Sequence, residues 1–195
     1  MSAAPRLAAR PGTARLHLRP TTDEDVPALA AAFASNADIL PLAGVSHTTT
    51  DVPAVRRYLR EAAAPHGGLT LTIVERATHT VIGVATLLVP NSADGVPWIG
   101  LLLIAAEHQG KGRGREAVAE IEWLLGSRGW RALRLNVVAA NSRAMNFWRG
   151  IGYRPYPAGC RAYDGRPSAT VMLAKPLSTS RPPGVSREEA STWFG

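Results

Sequence analysis

The chain has 195 residues, a formal net charge of +7, 46% apolar and 19% charged residues. That is enough for one packed domain, and no run approaches the roughly 18 consecutive apolar residues that span a membrane. The basic residues are scattered, with neither zinc-finger spacing nor aromatic-basic strands, so the charge reads as solubility plus attraction for phosphate and not as nucleic-acid binding; the single cysteine, Cys160, excludes an internal disulfide and suits a reducing, cytoplasmic setting.

Residues 1–14 are rich in Ala, Arg and Pro and lack acids, so a flexible leader is expected; the same composition faintly resembles an organelle transit peptide. Arg15-Leu16-His17-Leu18 alternates as a short strand, and Thr21 to Asp25 supply caps and acidic charge for a helix carrying Val26, Leu29, Ala30 and Phe33. Residues 37–50 read as a loop, and Asp51 opens a second helix with Val55, Tyr58 and Leu59 on one face. Leu69 to Glu75 and Val81 to Val89 form a hairpin through Arg76 to Thr80, and Trp98 to Ala105 is a buried strand. After the glycines at 110–114 comes an amphipathic helix with Ala117, Val118, Ile121, Leu124 and Leu125 inward, ended by Gly126 or Gly129. Leu133 to Val137 is a strand, Asn141 or Ser142 caps a helix bearing Phe147 and Trp148, and Thr170 to Leu173 is a last strand. The order β-α-α-β-β-β-α-β-α-β predicts an α/β domain over residues 15–177 with an antiparallel middle, followed by a polar tail at 178–195. In that tail Ser186-Arg187-Glu188-Glu189 matches a capping box, so a short docked helix or a frayed end is expected.

Gln109-Gly110-Lys111-Gly112-Arg113-Gly114 lies between a buried strand and a helix. A helix start offers unpaired N–H groups and a partial positive charge, glycines let a phosphate reach the backbone, and Lys111 and Arg113 add cationic charge. The segment thus fits a pyrophosphate cradle; read without a ligand, it is a flexible strand-to-helix turn. A Walker loop is excluded because Gly112 follows Lys111, and a dinucleotide fingerprint because Gly110, Gly112 and Gly114 are evenly spaced.

Gln109-x-x-Gly112-x-Gly114 resembles the signature of the GNAT superfamily of N-acetyltransferases, and Asn141-x-x-Ala144-x-x-Phe147-Trp148 to Gly152-Tyr153 is similar to its second segment. The resemblance covers residues 14–176. It implies a mixed, mostly antiparallel sheet splayed between strands 4 and 5 and flanked by helices, with acetyl-CoA as co-substrate; separately, none of the five histidines shows metal-ligand spacing, so no metal is expected. It also implies that the main chain of Leu102, Leu103 and Ile104 pairs with the pantetheine arm, that Gln109 to Gly114 hold the pyrophosphate, and that Asn141 reaches the arm. Asn141 equally reads as a plain helix cap.

Two positions depart from the family. Trp148 stands where relatives place a Tyr that protonates the thiolate, which leaves it a packing role, and Trp98 stands where some relatives carry a general-base Glu. Asp94 is a candidate base or amine binder, although a turn-forming Asp before Gly95 explains it too. Trp98, Asp38 and Asp164 are candidate acceptor residues; Glu107 and Cys160 read as a solvated carboxylate and a small core residue. Trp98 and Trp148 together suggest aromatic pocket walls. The expected acceptor is a small-molecule primary amine, an aminoglycoside-like antibiotic included, handled by a monomer or homodimer. A protein N-terminal or lysine acetyltransferase and a non-catalytic acyl-CoA sensor are the alternatives.

Overall fold

The computed structural model describes residues 15–156 and 170–178. The expected leader, Cys160, Asp164 and most of the tail lie outside the described residues.

Strand β1 (Leu16–Pro20) leads into a 3-10 turn (Asp23–Asp25) and helix α1 (Val26–Ala34). A second 3-10 turn (Leu40–Ala43) interrupts the expected loop before helix α2 (Val52–Ala63), whose N-cap is Asp51, accepting from the Ala54 N–H at 2.7 Å. Strands β2 (Gly68–Glu75), β3 (Val81–Leu88) and β4 (Trp98–Ile104) follow as an antiparallel meander. A 3-10 turn (Ala106–His108) and the glycines lead to helix α3 (Arg113–Ser127). Strand β5 (Ala132–Val138), helix α4 (Ser142–Gly150), the two-residue strand β6 (Arg154–Pro155) and strand β7 (Thr170–Pro176) complete the described fold. Helix α3 runs through Gly126, which leaves Gly129 as its stop. Strand β6 was not expected, since two exposed residues carry no periodicity.

The seven strands form one sheet in the order β1-β2-β3-β4-β5-β7-β6, antiparallel throughout except for β4 and β5. Side-chain alternation divides the core between its faces. Val84, Leu101 and Leu103 pack against Leu29, Phe33, Val55 and Leu59 of α1 and α2. Ile82, Ile99, Leu133 and Leu135 pack against Ile121 and Leu125 of α3 and Met145 and Trp148 of α4. Near the exit of β1 the buried Asp25 carboxylate takes both guanidinium nitrogens of Arg19, at 2.6 and 2.5 Å, and the Thr72 hydroxyl at 2.9 Å. Burial works against its charge, but the Arg19, Thr22 and Thr72 hydrogen bonds prevail and hold it below the ordinary carboxylate range. Among the described residues no helix is long and apolar enough to cross a membrane.

Candidate active site

Strands β4 and β5 meet only at Trp98↔Arg134 and Ile99↔Leu135, with the Arg134 N–H donating to the Pro97 carbonyl at 3.0 Å. Beyond that vertex they part. Gly100 is the wedge: Leu87 faces Ile99 and Thr86 faces Leu101, so Gly100 is an extra residue in β4, a bulge that bends the strand away. The parting leaves two strand edges facing a gap. Ala105 donates to the Ile82 carbonyl at 2.8 Å, so by antiparallel alternation Leu103 spends its N–H and C=O on β3, while those of Leu102 and Ile104 point into the gap. Since Arg134 points its N–H at β4, Asn136 and Val138 also turn their main chain toward the gap. The Ile104 carbonyl is taken by the Asn36 and Gln109 side-chain amides and the Val138 carbonyl by the Asn141 N–H, so the V-shaped slot offers an extended, amide-bearing guest the main chain of Leu102 and Asn136 and the Ile104 N–H.

At the open end lies the glycine turn. Gly110 and Gly112 have φ of 74° and 79°, in the left-handed region, and a Cβ at Gly110 would meet nothing within 4 Å. Gly112 caps α3 without a side-chain acceptor, so the first-turn N–H groups of a 15-residue helix face outward. The one acid of that turn, Glu116, is drawn away: its carboxylate takes the main-chain N–H groups of Arg15 and Leu16 and an ion pair with Arg15 at 2.9 Å. The helix end therefore keeps its partial positive charge for an anion. The Arg113 guanidinium pairs with Glu75, so this residue presents its main chain to the turn, and Lys111 Nζ donates to the Glu107 carbonyl at 2.8 Å.

A chain of amides fastens the turn to the rest of the site. Gln109 Nε2 donates to Asn36 Oδ1 at 2.8 Å and to the Ile104 carbonyl at 2.7 Å, and Gln109 Oε1 accepts from Arg143 Nη2 at 2.6 Å. Asn36 Nδ2 also donates to the Ile104 carbonyl, at 3.1 Å. Asn141 uses both ends of its side chain: Oδ1 accepts from the Ala144 N–H at 2.9 Å as the N-cap of α4, and Nδ2 donates to the Leu42 carbonyl at 3.1 Å.

The vertex is clamped by Asp94. Its carboxylate accepts from the Val96 N–H at 3.0 Å, from the Trp98 indole at 3.1 and 2.8 Å, and from Arg134 Nη1 at 2.7 Å. Partial burial disfavours the charge, but the Val96, Arg134 and Trp98 hydrogen bonds outweigh it and lower the pKa from the usual carboxylate value. The far face of Arg134 lies 4.2 Å from the centre of the Tyr156 ring.

A family model described as "Acetyltransferase (GNAT) domain" matches residues 15–154, and the chain belongs to that family of acetyltransferases. Solved structures repeat its fold. An acetyltransferase from Thermus thermophilus has a TM-score of 0.67 at 23% identity, covering 83% of this chain and 97% of that one. Spermidine N-acetyltransferase from Vibrio cholerae, solved with CoA and spermine, has a TM-score of 0.68 at 16% identity, with coverage of 85% and 97%. The Salmonella typhimurium enzyme that modifies the N-terminal serine of ribosomal protein L7/L12 has a TM-score of 0.71 at 16% identity, with coverage of 85% and 97%. No curated protein matches the sequence.

The expected residues divide into three places. Leu102, Ile104, Gln109 to Gly114 and Asn141 gather along the slot and its mouth, with Leu103 turned to β3. Asp94 and Trp98 meet at the vertex. Asp38 is exposed in the turn after α1. Trp148 is 7% exposed, edge-on to Phe147 at 5.0 Å and to Tyr153 at 5.1 Å. The two tryptophans do not form one pocket: Trp148 lies in the α3–α4 core, whereas Trp98 alternates with the core residue Ile99 and faces the opposite side of the sheet. Sequence reasoning passed over Asn36, Arg134, Arg143 and Tyr156. Neither Asn36 nor Arg143 carries a local signal, since only the fold brings either to Gln109.

Proposed function

We propose that the chain transfers an acetyl group from acetyl-CoA to the primary amine of a small molecule, by direct attack within a ternary complex. The observation that carries this reading is the slot, whose peptide edges at Leu102, Ile104 and Asn136 lead from the vertex to the unneutralised start of α3. The residues fit the co-substrate: the gap suits an amide-bearing arm, and the open space beside Gly110, with the Arg15 guanidinium 3.7 Å from where a Gly112 Cβ would stand, suits a pyrophosphate.

Acetyl-CoA supplies an activated thioester when bound. The main chain of Leu102 and Ile104 orients the arm, and the turn from Gln109 to Gly114 fixes the phosphates. Holding two reactants in register can provide a large part of the acceleration. The amine must lose its proton before it attacks, and solvent at the slot serves as acceptor. The open face near the vertex presents half-buried Trp98 and Tyr156, 39% exposed, as ring surfaces for a flat or sugar-like acceptor. A cytoplasmic monomer or homodimer completes the reading.

The test is free-thiol release from acetyl-CoA against a panel of polyamines, aminoglycosides and peptides with free N-termini. Turnover with a small amine and not with peptides is the expected result; peptide turnover alone moves the acceptor to a protein N-terminus or lysine. Binding of CoA without turnover of any acceptor favours the sensor alternative. Gly112→Glu should abolish CoA binding, by filling the cradle and repelling phosphate, while the chain still folds.

A further inference from the structure

We propose that the chain carries a second binding site, for a small organic carboxylate, in the cleft between the start of α1 and the second half of α2. The cleft has a volume of about 300 Å³ and reaches Thr70 of β2; β3 and β4 stand between that strand and the slot. Val26, Leu59 and Ala63 supply an apolar lining, and Thr21, Thr22 and Thr70 supply hydroxyls. Arg56 and Arg60 also line it, one turn apart on α2, and both meet a single carboxylate, that of Asp23. Arg56 Nε donates to Asp23 Oδ1 at 3.3 Å, while Arg60 Nη2 stays 3.6 Å from Oδ2, beyond hydrogen-bond length. Each carboxylate oxygen thus faces one guanidinium.

Asp23 marks the chemistry of the site but holds it loosely. Its side chain is 70% exposed and that of Arg60 68%, so solvent competes for both charges. Two guanidiniums share this one carboxylate, neither has another carboxylate partner among the described residues, and like charges four residues apart on a helix repel. A guest carboxylate in the place of Asp23 meets one guanidinium at each oxygen, and its stem lies along Val26, Leu59 and Ala63. The hydroxyl wall is fixed from behind. The buried Asp25 carboxylate accepts from the Thr22 N–H at 2.9 Å and from the Thr22 hydroxyl at 3.2 Å, and the Thr72 hydroxyl lies 3.1 Å from that of Thr21. A wall ordered in advance spares the guest that entropy. A cleft of about 300 Å³ is at the small end of ligand pockets, which restricts the guest to a short acid.

NMR titration of the isotope-labelled full chain with hexanoate tests this, with hexylamine and hexanol as guests of the same stem. Hexanoate should bind with a Kd of about 1 mM or tighter and shift the Nε–H signals of Arg56 and Arg60 and the amides of Thr22 and Thr70, while hexylamine and hexanol bind at least about tenfold more weakly. The two charges of the cleft should act with opposite sign. Arg60→Gln should weaken hexanoate by about 5- to 20-fold, and Asp23→Ala, which removes the internal competitor, should tighten it by about threefold or more. Both positions are exposed, and melting curves check that each variant folds; Arg56→Gln repeats the loss from the other guanidinium. The absence of hexanoate binding, equal binding of hexanol, or shifts centred on Leu102 and Ile104 of the slot would overturn the proposal. So would an Asp23→Ala affinity no tighter than that of the wild type, or arginine variants that bind hexanoate as the wild type does.

Discussion

Gly83 controls how closely β3 approaches β4. A Cβ built there would sit 2.1 Å from the Leu103 carbonyl oxygen and 3.1 Å from the Ile104 Cα. Both are main-chain atoms, so no side chain can swing away. A comfortable carbon–oxygen contact is about 3.4 Å, so Gly83→Ala forces the strands apart by about 1 Å. Overpacking of this kind costs about 1–3 kcal/mol. For a chain of this size that is a fall in melting temperature of about 3–10 °C. The strain also falls on the functional edge, because Leu103 stands between Leu102 and Ile104, whose peptide groups line the slot. CoA affinity should therefore drop by about fivefold or more, corresponding to roughly 1 kcal/mol. Differential scanning fluorimetry and calorimetric titration measure the two effects. Gly110→Ala is the control for stability: nothing lies within 4 Å of its Cβ, so only the strain of a φ of 74° is added, about 1 kcal/mol. If Gly83→Ala melts with the wild type, the close-approach argument fails. If it melts early but binds CoA normally, the main chain of β4 is not what holds the arm.

Trp148→Phe should lower turnover by less than about tenfold, since the indole is packed between Phe147 and Tyr153, and loss of a general acid costs on the order of a hundredfold or more; steady-state kinetics at unchanged CoA affinity separate the two. Asp25, held below its ordinary pKa by Arg19, Thr22 and Thr72, contributes stability that is present above the unfolded value of about 3.9 and is lost as pH falls through the lower folded value. Asp25→Asn should melt lower at neutral pH and show a shallower loss on acidification, whereas parallel melting-versus-pH curves for variant and wild type would contradict the assignment.

Much of the fold is legible in the chain because its elements are locally consistent. Strand β3 announces itself as an almost unbroken β-rich run and helix α3 by its period, and Asp51 and Asn141 cap the helices they precede. The glycine turn is legible for the same reason: spacing and neighbours lie within six residues. What escapes is whatever depends on long-range pairing. That Leu103 faces β3 while Leu102 and Ile104 face the slot follows from the register of β4 on β3, which no local pattern encodes. That Arg113 serves Glu75, 38 residues away, reverses the reading of its charge. Arg143 and Asn36 reach Gln109 across 34 and 73 residues. Trp98 and Trp148 read alike as aromatic walls until the sheet separates them by face.

Asp94 illustrates how the fold reassigns a residue whose chemistry alone admits two roles. In the chain it is a carboxylate just ahead of the strand that bears the reaction, which describes a base. In the structure it accepts from three donors at the vertex of β4 and β5, the Val96 N–H, the Trp98 indole and Arg134, and its pKa is lowered. A carboxylate so satisfied is a poor proton acceptor, and its cationic partner is already Arg134. Asp94→Asn keeps an acceptor for Val96 and Trp98 but leaves the Arg134 side chain, only 15% exposed, without its counter-charge, while Arg134 Nε already lacks a hydrogen-bond partner. The expected cost is about 1–3 kcal/mol, toward the lower end because Asp94 is itself partly open to solvent. The lowered pKa means this contribution is full above the ordinary carboxylate range and disappears below it, so the variant's melting deficit should be present at pH 7 and vanish in acid. A clamp and a base then differ in order of effect. For a clamp, melting falls first, kcat falls by less than about tenfold, and the rising limb of the pH–rate profile keeps its midpoint. A fall in kcat of about a hundredfold or more, at unchanged melting temperature and CoA affinity and with that limb abolished, would make Asp94 the base after all.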